Sequence, residues 1–156
     1  GTLTPIVTWR SLETSPVWSP DGTRIAFVSD AARNHEPQIY LYDTRTKRSE
    51  RVTYKGRYNS SPRWSPDGRM LAYEGRRKGV FQIFKYDLLR RRHQQLTFGR
   101  YNSQQPDWAP NGRQLVFSSR KTGVTKLYYI STHGGPVARV TTSPPAVVET
   151  QPAWTR

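Results

Sequence analysis

The stretch Pro16-Val17-Trp18-Ser19-Pro20-Asp21-Gly22 returns as Pro62-Arg63-Trp64-Ser65-Pro66-Asp67-Gly68 and again as Pro106-Asp107-Trp108-Ala109-Pro110-Asn111-Gly112. A fourth start, Pro152-Ala153-Trp154, stands near the end of the chain. The Trp residues are 46, 44 and 46 positions apart, the length of one small structural unit repeated in tandem. In each unit the Pro-Asp-Gly or Pro-Asn-Gly tripeptide predicts a tight turn, because Gly22, Gly68 and Gly112 can take a positive φ without steric cost. The segment ending at the Trp is then a first strand, and the segment after the turn is a second.

The rest of each unit repeats as well. Runs of β-formers, Ile25-Ala26-Phe27-Val28, Leu71-Ala72-Tyr73 and Leu115-Val116-Phe117, supply the second strands, with alternate residues on one sheet face. After a polar loop, QIYLYD from Gln38, QIFKYD from Gln82 and KLYYIS from Lys126 predict third strands. Arg51-Val52-Thr53, Gln95-Leu96-Thr97 and Arg139-Val140-Thr141 mark short fourth strands. Four short antiparallel strands per unit, repeated at about 44 residues, is the pattern of an all-β propeller blade. A β-sandwich does not require the same Trp, turn and aromatic at the same offset three times.

The phasing leaves the ring open. Residues 1–13 align with the last strand and linker of a preceding blade, residues 14–58, 59–101 and 102–148 are three full blades, and residues 149–156 begin a closing blade. Three blades form an arc, half of a six-bladed ring, and an arc exposes an apolar face at each end. The expectation is that the remainder of its own propeller, or a second copy of the chain, completes the ring.

Composition bounds the chemistry. In 156 residues there are 25 Lys and Arg against 11 Asp and Glu, giving a formal charge of +14, with no Cys and three His. No disulfide framework, thiolate site or zinc signature is present in the sequence. No apolar run is long enough to span a bilayer as a helix. Asp21, Asp67 and Asn111 read as turn residues that bond their own backbone, and Asp43 and Asp87 as caps of the next turn. His35, His93 and His133 read as solvated loop residues. No nucleophile–base pair, carboxylate pair or Gly-x-Ser-x-Gly elbow stands out, so no catalytic residue, metal site or cofactor is assigned and the chain is read as a non-enzyme.

The basic charge is uneven, since residues 53–98 hold 11 Lys and Arg against 3 Asp and Glu. In a four-stranded blade the linker between units and the loop between second and third strands share one face of the disc, and the two remaining turns share the other. Arg76, Arg77 and Lys78 thus fall beside Arg57 and Arg100 on the linker face, while Arg90, Arg91 and Arg92 fall on the opposite face. Nucleic acid binding calls for one basic stripe with interleaved aromatics, and this division disfavours it. A cationic surface still suits acidic proteins and anionic envelope polymers.

With WSPDG, QIYLYD, RVT and the linkers GRYNSSP from Gly56 and GRYNSQQP from Gly99 in view, the whole chain resembles the TolB-like β-propellers of the Tol–Pal cell-envelope system. The resemblance implies a periplasmic protein-interaction scaffold that binds partners at the linker face around the channel, among them a Pal-like lipoprotein and other Tol components. Related units occur in propellers that gate substrate for prolyl-oligopeptidase-type peptidases, and a self-assembling half-propeller is a further alternative. The resemblance also implies that Trp154-Thr155-Arg156 looks like a native ending, with further blades and a small α/β domain expected before Gly1. Carried over by motif, the partner-binding residues are Arg57, Tyr58, Asn59, Ser60 and Ser61 in one linker and Arg100, Tyr101, Asn102, Ser103 and Gln104 in the next. Glu149, Thr150 and Gln151 hold the equivalent place in the third, where no Gly-Arg-Tyr-Asn occurs.

Overall fold

The computed structural model describes residues 5–32, 35–144 and 146–153. It contains three four-stranded antiparallel sheets that remain unclosed. The first holds β1 (Glu13–Trp18), β2 (Arg24–Ser29), β3 (Gln38–Asp43) and β4 (Arg48–Arg51). The second holds β5 (Asn59–Trp64), β6 (Met70–Arg77), β7 (Val80–Asp87) and β8 (Arg92–Gln95). The third holds β9 (Ser103–Trp108), β10 (Gln114–Ser119), β11 (Lys126–Ser131) and β12 (Ala138–Arg139). Each sheet is a meander in chain order, as the repeat predicts.

Every turn after the Trp closes through its acid or amide. Asp21 accepts from the Ser19 hydroxyl and the Thr23 N–H, Asp67 from the Ser65 hydroxyl and the Arg69 N–H, and Asn111 from the Arg113 N–H. The glycine that follows has φ near 70° in all three. Ala109 lacks the hydroxyl that Ser19 and Ser65 contribute, and the Asn111 turn still forms. Asp43 and Asp87 cap the later turns through the N–H groups of Thr46 and Arg90.

A second repeated device lies inside the first strand. Ser15, Ser61, Gln105 and Gln151, each three residues before a Trp, all have φ between 52° and 55°. In the three blades this residue sits in a bulge between the first and second strands. A left-handed non-glycine residue costs on the order of 1 kcal/mol, so its recurrence means that packing enforces it.

The blades stack by unlike faces. Ala26, Val28, Ile39 and Leu41 of the first sheet pack against Trp64, Tyr73, Phe84 and Tyr86 of the second. Ala72 and Ile83 of the second pack in turn against Trp108, Leu115, Phe117, Tyr128 and Ile130 of the third. Each blade therefore presents a small aliphatic face forward and an aromatic face backward. The centres of the second strands, residues 25–28 in β2, 71–73 in β6 and 115–117 in β10, are buried on both sides and therefore read as short unbroken apolar runs.

The Trp of each unit ties its blade to the one before. The Trp64 indole N–H donates to the Val17 carbonyl at 3.1 Å, and that of Trp108 to the Arg63 carbonyl at 2.9 Å. Trp64 and Trp108 are buried, but Trp18 is 61% exposed, because no described blade precedes its own. The aromatic face of the first blade is instead covered in part by Val7 and Trp9. Trp154 lies outside the described residues.

Two expectations need correction. The fourth strands end at Arg51, Gln95 and Arg139 rather than beginning there. The following Val52 and Leu96 plug the core, and the Thr53 and Thr97 hydroxyls accept the N–H groups of Ile39 and Ile83. His93 belongs to strand β8 and not to a loop. Gln151 has the left-handed φ of a first strand, and its N–H donates to the Gln105 side chain at 3.0 Å.

Candidate functional site

The linker face is built by one buried network per blade. Gln38 is buried at the start of β3, and its Oε1 accepts from the Thr53 hydroxyl and from the Asn59 amide, both at 2.8 Å. Its Nε2 donates to the Gly56 carbonyl at 3.0 Å, which fixes the linker over the blade. Gln82 repeats this with Thr97 and with the carbonyls of Gly99 and Tyr101. In the third blade the same position is Lys126, 1% exposed in its side chain. Its ammonium donates to Ser143 at 2.8 Å and to the Pro144 carbonyl at 2.6 Å, and lies 3.7 Å from Glu149. Both Glu149 oxygens are engaged, by the hydroxyls of Ser143 and Thr141 and by the Leu127 N–H. Those hydroxyls, followed by the N–H and the ammonium, hold its carboxyl down at about 2. In the third linker, which lacks Gly-Arg-Tyr-Asn, a buried ammonium and its ion pair hold the segment that the Gln38 and Gln82 amides hold in the other two.

This network sorts the residues that the sequence singled out. Asn59 and Ser103 are buried, and each stands five residues before its Trp, as Glu149 does before Trp154. The second linker is one residue longer, so its Asn102 takes the place of Tyr58 rather than that of Asn59. Its Oδ1 accepts the Phe81 N–H at 3.0 Å, and its carbonyl accepts from Arg120, as the Tyr58 carbonyl does from Arg76. Two linkers with the same four-letter motif thus use it in different registers. Tyr101 folds over Gly99, whose φ of 136° leaves no room for a Cβ beside the ring. Ser60 donates to the buried carboxylate of Glu74, which also accepts the Gln105 N–H. Gln104 gives its carbonyl to Ser118, and Thr150 is exposed.

Arg57 and Tyr58 remain accessible, and they open onto a cleft of about 680 Å³. Its other side is the turn Arg76, Lys78 and Gly79, so the basic loop meets the linker as the face geometry predicts. Tyr58 stands edge-on to Phe81 with centroids 5.4 Å apart, which holds the ring upright. Arg57 pairs with Glu36 at 3.5 Å, and His35 lines the same cleft. Sequence reasoning missed Glu36 and left His35 as a solvated loop residue, because both lie far before Arg57 in the chain and Glu36 reaches it only once the linker folds back over their loop. Arg100 and Tyr101 do not join this cleft; they sit one blade further around the arc. Arg90 and Arg91, on the opposite face, are paired with Asp87 and Glu50.

Known proteins share this fold. The family model of the TolB beta propeller domain matches residues 1–156. The chain belongs to the TolB β-propeller family. Its fold superposes on the crystal structure of TolB from Acinetobacter baumannii with a TM-score of 0.72 and 30% identity, over 87% of this chain and 34% of that one. A putative TolB from Agrobacterium tumefaciens gives 0.67 and 23%, over 88% and 65% of the two chains. The propeller domain of the Trilobed protease from Pyrococcus furiosus, described as an open velcro topology, gives 0.65 at 20% identity, over 87% and 44%. The chain thus spans about a third of the first of these structures and less than two thirds of the second. No curated protein matches.

Proposed function

We propose that this propeller is a non-enzymatic scaffold of the Tol–Pal cell envelope that docks protein partners, a Pal-like lipoprotein first, at its linker face. The observation that carries the reading is the Arg57–Tyr58 cleft. It is a rigidly held aromatic ring flanked by exposed Arg76 and Lys78, on a loop tied down by buried Gln38 and Asn59. Upright Tyr with Arg at a rigid edge is the composition that anchors protein interfaces, and the positive rim selects an acidic partner surface. A periplasmic location fits this reading. Peptidase propellers share the fold at 14–20% identity, a likeness that extends to the fold alone.

Ring completion by the remainder of a propeller fits the geometry better than a second copy does. Residues 151–153 lie against Gln105, Pro106 and Asp107 of β9, the place that a following blade gives to its first strand. A second copy arriving with its own β1 would need that same place.

The test is calorimetric titration of the soluble domain of a Pal-like lipoprotein into the full chain and its Tyr58→Ala variant. An affinity loss of at least tenfold with an unchanged melting curve supports the cleft, and unchanged affinity removes it.

A further inference from the structure

The second blade reaches further onto the linker face than its neighbours do. In the first and third blades the ladder between second and third strands ends at the pairs Ser29 with Gln38 and Ser119 with Lys126, and residues 30–37 and 120–125 make the connection. In the second blade the counterpart pair, Gly75 with Gln82, is followed by two more, Arg76 with Phe81 and Arg77 with Val80. A two-residue turn closes this hairpin, with Lys78 at φ 49° and Gly79 at φ 86°, the backbone that matches the twist of paired strands. The extension carries Arg76, Arg77 and Lys78 along one side of the Arg57–Tyr58 cleft. Its cations are in place before any partner arrives, so docking has little left to order there.

The charges of that cleft do not balance. Arg57, Arg76, Arg77 and Lys78 line it with one carboxylate, Glu36. Arg77 is engaged by the protein itself. Its Nη1 donates to the Arg76 carbonyl at 2.8 Å, and its guanidinium lies over Phe84 at 4.6 Å and against Gly56, where a Cβ would come within 2.0 Å of it. Of the other three cations, only Arg57 has an acid within ion-pair distance among the described residues. That pair is lopsided: the Arg57 side chain is 89% exposed and that of Glu36 23%, and the 3.5 Å contact is made at Nε rather than at the fork of the guanidinium. Exposed pairs of this kind stabilise little and exchange readily.

We propose that Glu36 is an internal stand-in for a partner's acid: an acidic stretch of the docked protein displaces it from Arg57, and further carboxylates of that stretch meet Arg76 and Lys78 on the hairpin. This rests on the docking reading of the linker face and gives its partner a chemistry. Glu36 shows which group the cleft accepts, and the upright Tyr58 ring offers the stretch an apolar neighbour to pack on. Docking exchanges one ion pair at Arg57 for another, so Glu36 lowers the affinity that the cations alone would give and selects against weakly acidic surfaces.

The probe is a rhodamine-labelled decaglutamate peptide, followed by fluorescence anisotropy on the full chain at low salt, with labelled decaglutamine and a thymidine oligonucleotide of the same length beside it. The expected result is decaglutamate binding that weakens as salt rises, no binding of decaglutamine, and weaker binding of the oligonucleotide. Glu36→Gln should tighten decaglutamate about threefold or more, Arg57→Gln should weaken it by as much, and Glu36→Gln should have no effect in the Arg57→Gln background. Lys78→Asn, at a turn position that suits Asn, should weaken it about twofold or more at an unchanged melting temperature. An affinity lowered or left unchanged by Glu36→Gln, a gain that persists in the Arg57→Gln background, indifference to Lys78→Asn, or tighter binding of the oligonucleotide would overturn the proposal. If decaglutamate fails in any of these ways while the Pal-like domain still binds through Tyr58, the docking reading stands and the stand-in falls; the reverse pattern removes the Pal-like partner and keeps the acid site.

Discussion

Replacing Trp108 with Phe tests whether the repeated Trp acts across blades or within its own. The indole of Trp108 is 5% exposed and donates to the Arg63 carbonyl of the preceding blade at 2.9 Å. Phe keeps the six-membered ring and removes the donor, which leaves that carbonyl facing a dry interface at a cost of about 1–3 kcal/mol. It also removes roughly 40 Å² of buried apolar area, worth about 1 kcal/mol. The sum, about 2–4 kcal/mol, is a large part of the stability of a domain this size. Trp18 occupies the same repeat position but is 61% exposed, so Trp18→Phe should stay within about 0.5 kcal/mol. Urea unfolding followed by far-ultraviolet circular dichroism measures both, and stacked repeats make such interface energies visible as a midpoint shift. Equal costs at the two positions would refute the cross-blade account, because then the Trp would be stabilising its own turn.

Two further outcomes rest on the linker networks. Glu149 is held at about 2, below its ordinary 4.5, so the stability it gives the third linker is complete above that ordinary value and is lost as pH falls toward 2. The Leu127 amide, which donates to Glu149, reports this by NMR; a titration midpoint above pH 4 would contradict it. Gln82→Leu strands the Thr97 hydroxyl and the Tyr101 carbonyl and should cost about 2–4 kcal/mol, with faster proteolysis around Phe98. A cost below about 1 kcal/mol would show that the second linker holds itself.

Much of the fold was legible because its signals are local. The Asp21, Asp67 and Asn111 turns close on their own neighbours, and each second strand carries a short apolar run at its centre, residues 25–28, 71–73 and 115–117. The linker was legible only in part. The motif Gly-Arg-Tyr-Asn looks identical from Gly56 and from Gly99, yet one inserted residue moves Asn102 out of the role of Asn59. Nothing local announces that shift, because it is measured against the buried Trp of the following strand. The partner of Lys126 was equally hidden, since Glu149 lies 23 residues away and serves it only after the third linker folds back.

The sequence by itself determined an open arc of three four-stranded blades, because the Trp period and the turn chemistry repeat and each acts over a few residues. It also determined which loops share a face, since antiparallel strands alternate direction. Only the tertiary structure decided which residues of that face are reachable and where the clefts lie. Glu36 meets Arg57 once the linker folds over its loop, and Trp64 and Trp108 reach the carbonyls of Val17 and Arg63 through contacts between neighbouring blades. Such contacts depend on the angle at which one sheet stacks on the next, and no stretch of chain encodes that angle alone.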